Sequence, residues 1–501
     1  MTPGRNLLAG LTNSIWSALI GLAVVPFYLK YLGIEAYGLI GFFVTTQAVL
    51  SLLDIGMAPT INREVARCSA LGNLKEAGKL LHTLAVVYWC MAGAIALLIM
   101  ALAPLIAGYW LQSKQLSPQT ISHAVMTMGL VVACRWPIGL YQGALIGAQR
   151  LTVSSGINMA MVTTGSLGAV AVLAFVSPTI EAFFIWQACI GLVYAITIRW
   201  AAWRIIGKTK QNGFDVGKLK SVWRFTAGMS GIGLTALVFT QLDKVILSKM
   251  LGLEEFGHYM LATVVVSGLY VLISPVFNVV YPRMTALVAT GDTEKLIGLY
   301  RLGTRMLASM IFPIAMVLAV FAEDLVLVWT DNPNIASSVA PVISLLAMGS
   351  ALHGVMHFPY ALQLAYGMTR LPLMINSILM IVLFPLIILF TLTYGALGGA
   401  MAWLVLHVLY VLLGTWLTHR RLLKGVGARW LLQDVGIPLM LSIFVGLIGR
   451  NYVAQSEEYS VFVKLIGGGG LVLVASALSI LVSHQLRTVV LSSLGWKKTD
   501  A

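Results

Sequence analysis

The chain has 501 residues, of which 59% are hydrophobic and only 10% charged. A soluble domain carries about 25% charged residues, so the composition excludes an ordinary soluble enzyme and describes a polytopic membrane protein. The formal charge of +14 would point to nucleic acid only if it gathered on one soluble face.

Taken in chain order, fourteen apolar runs reach the ~20 residues that a helix needs to cross the hydrocarbon. They lie near residues 7–31, 36–58, 81–111, 122–148, 152–176, 181–205, 222–250, 256–281, 303–329, 335–366, 371–393, 397–418, 431–448 and 461–482. The first follows a single Arg and has no small-residue cleavage site, so it reads as a span and not as a removed signal peptide. Pro26, Pro137, Pro275, Pro313, Pro359 and Pro385 fall inside these runs and predict bends, which membrane helices tolerate when neighbours re-satisfy the freed backbone groups. The four cysteines, Cys68, Cys90, Cys134 and Cys189, make neither a disulfide framework nor a paired zinc motif.

With the N-terminus inside, 25 of the 32 Lys and Arg fall on that side, five on the other, and Arg135 and Lys244 within spans. Counting acidic residues as well, the two faces carry +18 and −4. An excess of Lys and Arg marks the cytoplasmic side, so both termini are expected in the cytoplasm. The densest cluster, Arg204, Lys208, Lys210, Lys218, Lys220 and Arg224, joins spans 6 and 7. The charge is thus a topology signal, and nucleic acid is not an expected partner.

The chain also repeats itself. KYLGIEAYG from Lys30 returns as KMLGLEEFG from Lys249, and GNLKE from Gly72 returns as GDTEK from Gly291 at the same offset. GAQRL from Gly147 falls on GMTRL from Gly367, and Tyr194, Trp200 and Arg204 fall on Tyr410, Trp416 and Arg420. Four ordered matches at nearly constant offset indicate a duplication. The expected fold is an all-α integral membrane protein of about fourteen helices. Six-helix bundles occupy residues 1–215 and 216–430, related by a pseudo-twofold axis along the membrane normal. Residues 431–501 add two further helices and a cytoplasmic tail. The repeated KxLGxExxG is the outer turn between the first two spans of each half, where Gly is expected to supply unusual backbone angles.

The stretches YLGIEAYGL, LLDIGMAPTINREVAR, LYQGALIGAQRL, QLDKVILSKMLGLEEFGHY and PYALQLAYGMTRLPLMIN, in that order, resemble those of Wzx-type flippases of polysaccharide and O-antigen repeat units. These form the polysaccharide transporter branch of the multidrug/oligosaccharidyl-lipid/polysaccharide exporter superfamily, which is MATE-like. The resemblance covers spans 1 to 12. It implies two bundles in the bacterial inner membrane that open alternately to each side. They would carry undecaprenyl-diphosphate-linked oligosaccharide of O-antigen, capsule or exopolysaccharide outward. With no nucleotide-binding motif in the sequence, the drive is expected to be membrane potential, ion exchange or both. The resemblance further implies membrane lipids, a polysaccharide polymerase and a chain-length regulator as partners, and no cofactor. The related lipid II flippase holds diphosphate with arginines of its early helices, whereas spans 1 and 2 here carry no mid-membrane Arg.

A diphosphate and many hydroxyls cross an apolar core only through a wet, polar, cationic path. Arg135, ~18 Å from the cytoplasmic end of span 4 at 1.5 Å per residue, is the leading substrate-binding candidate, because its fork suits phosphate. Its bland alternative is an interhelical salt bridge. Asp243 and Lys244 are adjacent and point about 100° apart on a straight helix, so they are not expected to neutralise each other. Asp243 becomes a gating candidate and Lys244 a substrate contact. Asp54, ahead of Gly56 and Pro59, either couples to protons or packs and caps. His353 and His357 share a helix face at i,i+4 and are candidates for a proton relay, without the further ligands of a metal site. Arg63, Arg283, Arg301 and Arg305, at inner ends, are candidates to attract diphosphate at the entrance.

A cation-coupled multidrug exporter of the same superfamily would favour acidic lumen residues over a mid-membrane Arg, and a lipid II-type flippase would share the fold. An ATP-driven pump fails, because GNLKEAGKL from Gly72 has the wrong glycine spacing and Leu after Lys for a P-loop. A membrane glycan polymerase would need exposed catalytic loops, and no Ser/His/Asp or paired-carboxylate arrangement stands out. The chain is expected to be a transporter and not an enzyme. Thiol labelling of cysteines placed at Gln115 and at Lys210 should mark opposite sides of the membrane. Labelling of both from one side would contradict the orientation.

Overall fold

An α-helix rises 1.5 Å per residue, so the first helix, α1 (Pro3–Leu50), would run about 70 Å if straight, more than twice the ~30 Å hydrocarbon thickness. It breaks at Gly33, whose φ of 79° and ψ of 173° interrupt the helix in a region that a Cβ would disfavour. The computed structural model describes residues 3–54, 56–71, 74–207, 237–454, 459–483 and 485–488, with single positions 215, 217 and 234. Lys208, Lys210, Lys218, Lys220, Arg224 and the first part of expected span 7 lie outside the described residues.

The chain folds as helices. After α1 come α2 (Met57–Ala70), α3 (Leu74–Leu105), α4 (Pro118–Arg135), α5 (Ile138–Gly147), α6 (Leu151–Phe175) and α7 (Ile180–Ile206). Residues 237–250 form α8. Then follow α9 (Leu253–Ser267), α10 (Ile273–Thr290), α11 (Thr293–Val320), α12 (Ala322–Thr330), α13 (Pro333–Val355), α14 (His357–Ala365) and α15 (Arg370–Arg421). The last two are α16 (Gly427–Val453) and α17 (Val461–Val482). Among the described residues, eleven helical stretches are long and apolar enough to span a membrane. Two of these cover a pair of expected spans each, α1 across Gly33 and α15 across Gly395. The segment between expected spans 2 and 3 holds the polar helix α2, which carries Arg63 and Arg67 and buries Cys68.

Proline sets three of the breaks, since it lacks an N–H and collides with the preceding turn. Pro137 separates α4 from α5, Pro275 sits in the first turn of α10, and Pro359 in the first turn of α14. Pro26, Pro313 and Pro385 stay inside continuous helices. The two breaks at Trp136 and Met356 are equivalent positions of the duplication, at the offset that relates Gly147 to Gly367.

Contacts divide the chain into a unit of Met1–Gly257 and a unit of His258–Ala501. In the first, α2, α3, α5 and α7 close on a core that includes Ile61, Leu81, Tyr88, Tyr141 and Trp203. In the second, Tyr300 and Phe312 of α11 and Phe358 of α14 are fully buried. The duplication persists in side-chain detail within each unit. Arg204 lies 5.1 Å from the ring of Trp200 and Arg420 lies 5.4 Å from the ring of Trp416, the same cation–π pair at i,i+4.

Candidate functional site

The break between α4 and α5 presents Arg135 at its edge. Its Nη2 donates to the Oε1 of Gln187 on α7, and its guanidinium carbon lies 5.9 Å from the Phe43 ring. Among the described residues no carboxylate is paired with it, so it makes no interhelical salt bridge there. The stem packs over Gly191, where a Cβ would stand 3.0 Å from Arg135 Cγ. A lone cation inside a spanning helix marks a functional position by default.

In the same unit runs a neutral polar chain that the sequence reading did not single out. Gln142 Nε2 donates to Tyr194 Oη at 2.6 Å, and Tyr194 donates to Asn158 Oδ1 at 2.9 Å. Asn158 Nδ2 donates to Asn13 Oδ1 at 2.7 Å. Tyr28 donates to the Ser166 carbonyl at 3.3 Å, and Trp16 Nε1 to Thr163 Oγ1 at 2.8 Å. These residues come from α1, α5, α6 and α7, so amides and hydroxyls join four helices of the first unit. Each is unremarkable alone in sequence; only packing brings them together.

Asp54 closes the end of α1. One carboxylate oxygen accepts from Ala58 N at 3.3 Å, at the start of α2, and the other accepts from Tyr88. Gly56, at φ 72°, makes the turn between them. Asp54 thus ties the end of α1 to the first turn of α2 and to α3.

Lys244 and Asp243 on α8 do pair, contrary to the straight-helix expectation. Lys244 Nζ lies 3.2 Å from Asp243 Oδ1 and donates to the Thr240 carbonyl at 2.9 Å. The four-carbon stem folds the ammonium back along its own helix, which Cβ directions alone do not anticipate.

The two copies of KxLGxExxG meet each other. A Cβ on Gly38 would overlap the Leu253 carbonyl, and one on Gly257 would stand 2.6 Å from the Ile34 carbonyl. Ile34 and Leu253 are repeat equivalents, as are Gly38 and Gly257, so the contact is reciprocal. The expected role of Gly at the turn holds at Gly33 and not at Gly252, which lacks a positive φ. Gly252 instead bridges to Gln112, and Leu253 N donates to the Gln112 carbonyl at 2.7 Å. Glu35 anchors the same loop by accepting from Lys114 N and Gln115 N, both at 3.0 Å, and from Ser113. Trp110 Nε1 donates to Ser248 Oγ at 3.2 Å.

In the second unit the break between α13 and α14 carries His353 and His357, with rings 5.1 Å apart. His407 of α15, absent from the sequence candidates, lies 4.8 Å from His353. Tyr270 and His353 Nδ1 share a hydrogen bond of 2.9 Å. His357 Nδ1 contacts the His353 and Gly354 carbonyls at 3.2 Å, and His407 Nδ1 the Trp403 carbonyl at 2.8 Å. Among the described residues no three His, Cys, Asp or Glu are placed to hold a metal. Arg63 on α2 and Arg283 on α10 are exposed. Arg301 and Arg305 converge on Asp434, at 2.7 Å for the Arg301 Nε.

The fold is shared with membrane transporters of known structure. The lipid II flippase MurJ, in an inward closed conformation, superposes with a TM-score of 0.70 at 14% identity, over 94% of this chain and 98% of that one. An inward-facing multidrug resistance MATE transporter of the MOP superfamily gives 0.64 at 13% identity, over 81% and 95%. The chain belongs to the polysaccharide biosynthesis protein family, whose profile matches residues 30–332. It is similar to a Shigella flexneri protein named as an O-antigen transporter, 21% identical over 81% of this chain and 97% of the relative. It is also similar to the membrane protein EpsK of Bacillus subtilis, 22% identical over 68% and 67%. These agree with the resemblance carried by the repeated motifs.

Gly38→Val should part the two motif copies, because the carbonyl opposite belongs to backbone and cannot rotate away. In a chain whose native cysteines are replaced by Ser, Ser248→Cys should then react with a soluble maleimide about tenfold faster, a change equivalent to ~1.4 kcal/mol in the opening equilibrium. An unchanged rate would show that the contact is not what buries Ser248.

Proposed function

We propose that the protein flips undecaprenyl-diphosphate-linked oligosaccharide repeat units from the cytoplasmic to the outer leaflet of the inner membrane. The observation that carries this reading is Arg135, an intramembrane guanidinium whose hydrogen-bond partner is the neutral amide of Gln187. A fork not committed to a carboxylate suits an arriving diphosphate. The chain of Gln142, Tyr194, Asn158 and Asn13 offers sugars the amide and hydroxyl partners that replace water. The family membership and the curated relative named for O-antigen transport support the same substrate class.

On this proposal the bundles of residues 1–215 and 216–430 open alternately, and the paired motifs at Gly38 and Gly257 form the outer gate. Asp243 and Lys244 act beside that gate on α8. Arg63 and Arg283 draw the diphosphate toward the cytoplasmic entrance. A diphosphodiester carries about two negative charges, and moving each across an inside-negative potential yields ~2.3 kcal/mol per 100 mV. The resulting ~4–5 kcal/mol biases the distribution by more than about a thousandfold. The cluster of His353, His357 and His407 would add proton exchange to that drive, and Asp54, bonded to Ala58 and Tyr88, serves the structure of the inner end.

In vesicles holding the purified protein, Arg135→Ala should slow flipping about 10- to 100-fold, matching the ~1.5–3 kcal/mol of a charged hydrogen bond. Arg135→Lys should fall between, with charge kept and the fork lost. Wild-type rates in Arg135→Ala at equal protein abundance would overturn the assignment.

A further inference from the structure

A second cationic site lies in the unit of His258–Ala501, between α11 and the two helices that have no counterpart in the duplication, α16 and α17. Arg301 and Arg305 share one carboxylate there. Asp434 is 0% exposed. Its Oδ2 accepts from Arg301 Nε at 2.7 Å and its Oδ1 from Arg301 Nη2 at 3.1 Å, while Arg305 Nε also donates to Oδ1. One carboxylate balances one guanidinium, so the trio keeps a net positive charge. The outer nitrogen Nη1 of Arg305 has only long contacts, 3.4 Å to Ser483 Oγ and 3.3 Å to Gln485 Oε1.

That guanidinium borders a cavity of about 180 Å³, which Ser309, Ser479 and Ser483 line on the polar side and Ile437 and Val482 on the apolar side. Ser309 is 2% exposed, and its hydroxyl has no hydrogen-bond partner among the described residues. Buried hydroxyls are nearly always paired, and leaving one unmet costs about 1–3 kcal/mol. A residual positive charge and an orphaned donor on the same small cavity call for a compact anion with several acceptor oxygens. The cavity is smaller than the ~300–1,000 Å³ of drug-sized pockets, a size that suits a single phosphate group. The adjoining face of α16 exposes Met440 and Phe444, as a helix in contact with acyl or prenyl chains does.

We propose that this cavity binds the phosphate group of a membrane lipid, with Arg305 and Ser309 as its ligands and Asp434 orienting the guanidinium. The site is separate from Arg135 and does not depend on what Arg135 binds. Asp434 explains why it is built as a trio: a buried carboxylate with a single Arg would leave no charge for a ligand, and two arginines without it would be prohibitively costly.

Native mass spectrometry of the detergent-purified full chain tests the site by titration with phosphatidylglycerol, phosphate-free dioleoylglycerol and a polyprenyl diphosphate. A phosphate-bearing lipid should bind about tenfold more tightly than dioleoylglycerol, as charge-assisted hydrogen bonds require. Ser309→Leu, which fills the cavity, should remove most of that preference while leaving the lipid-free melting temperature unchanged. Arg305→Lys, which keeps the charge, should weaken it by a smaller factor. Retention of phosphatidylglycerol that polyprenyl diphosphate fails to displace identifies a bulk phospholipid as the source. Displacement identifies the polyprenyl carrier. Equal binding of dioleoylglycerol, or unchanged preference in both variants, overturns the site, whatever the flipping assay shows.

Discussion

Burying a charge in hydrocarbon without an opposite charge is among the costliest things a membrane helix does, and the first unit holds one such charge at the end of a spanning helix. Arg135 stands where Pro137 ends α4, over Gly191 and against Gln187. The break lets the side chain leave the helix edge, the glycine gives its stem room, and the amide satisfies one donor without cancelling the charge. The polar chain through Tyr194 and Asn158 continues that accommodation, since water and hydroxyls lower the cost of a cation that apolar walls would raise.

The duplication makes the second unit a natural comparison. The helix break recurs at the equivalent position, Met356, but histidines flank it in place of an arginine. Gly191, which makes room for the Arg135 stem, falls on His407 at the offset that relates Tyr194 to Tyr410 on the same helices. One scaffold thus carries a permanent cation in one copy and a group of three titratable rings in the other. On the proposed function this would divide the work: the first copy would recognise the diphosphate, and the second would take up any proton exchange.

Composition and periodicity made the all-helical membrane fold legible, and the repeated motif located a pair of glycines whose purpose only packing reveals. Gly38 and Gly257 provide space, not backbone angles, because each faces the carbonyl that its partner's copy supplies. Arg135, His353 and His357 were visible as polar residues interrupting apolar runs. His407 was equally visible, yet nothing local connects it to the histidines of an earlier helix until α15 packs on α13. The pairing of Asp243 with Lys244 is illegible for the opposite reason: backbone direction sets the two side chains apart, and only the reach of the lysine stem brings the charges together. The phosphate cavity was illegible, since Asp434 lies in an appended helix far along the chain from the arginines it holds.

On the proposed function, an unneutralised arginine passes a diphosphate lipid outward under the membrane potential. The direct measurement reconstitutes the purified protein in vesicles clamped with potassium and valinomycin at equal pH on both sides. It follows the initial flipping rate of a labelled polyprenyl-diphosphate oligosaccharide beside the same oligosaccharide on a neutral polyprenol. The expected rate rises with inside-negative potential for the diphosphate lipid, with little flipping of the neutral one. Equal flipping of both lipids, or a rate indifferent to potential and steeply dependent on a pH difference, would contradict it.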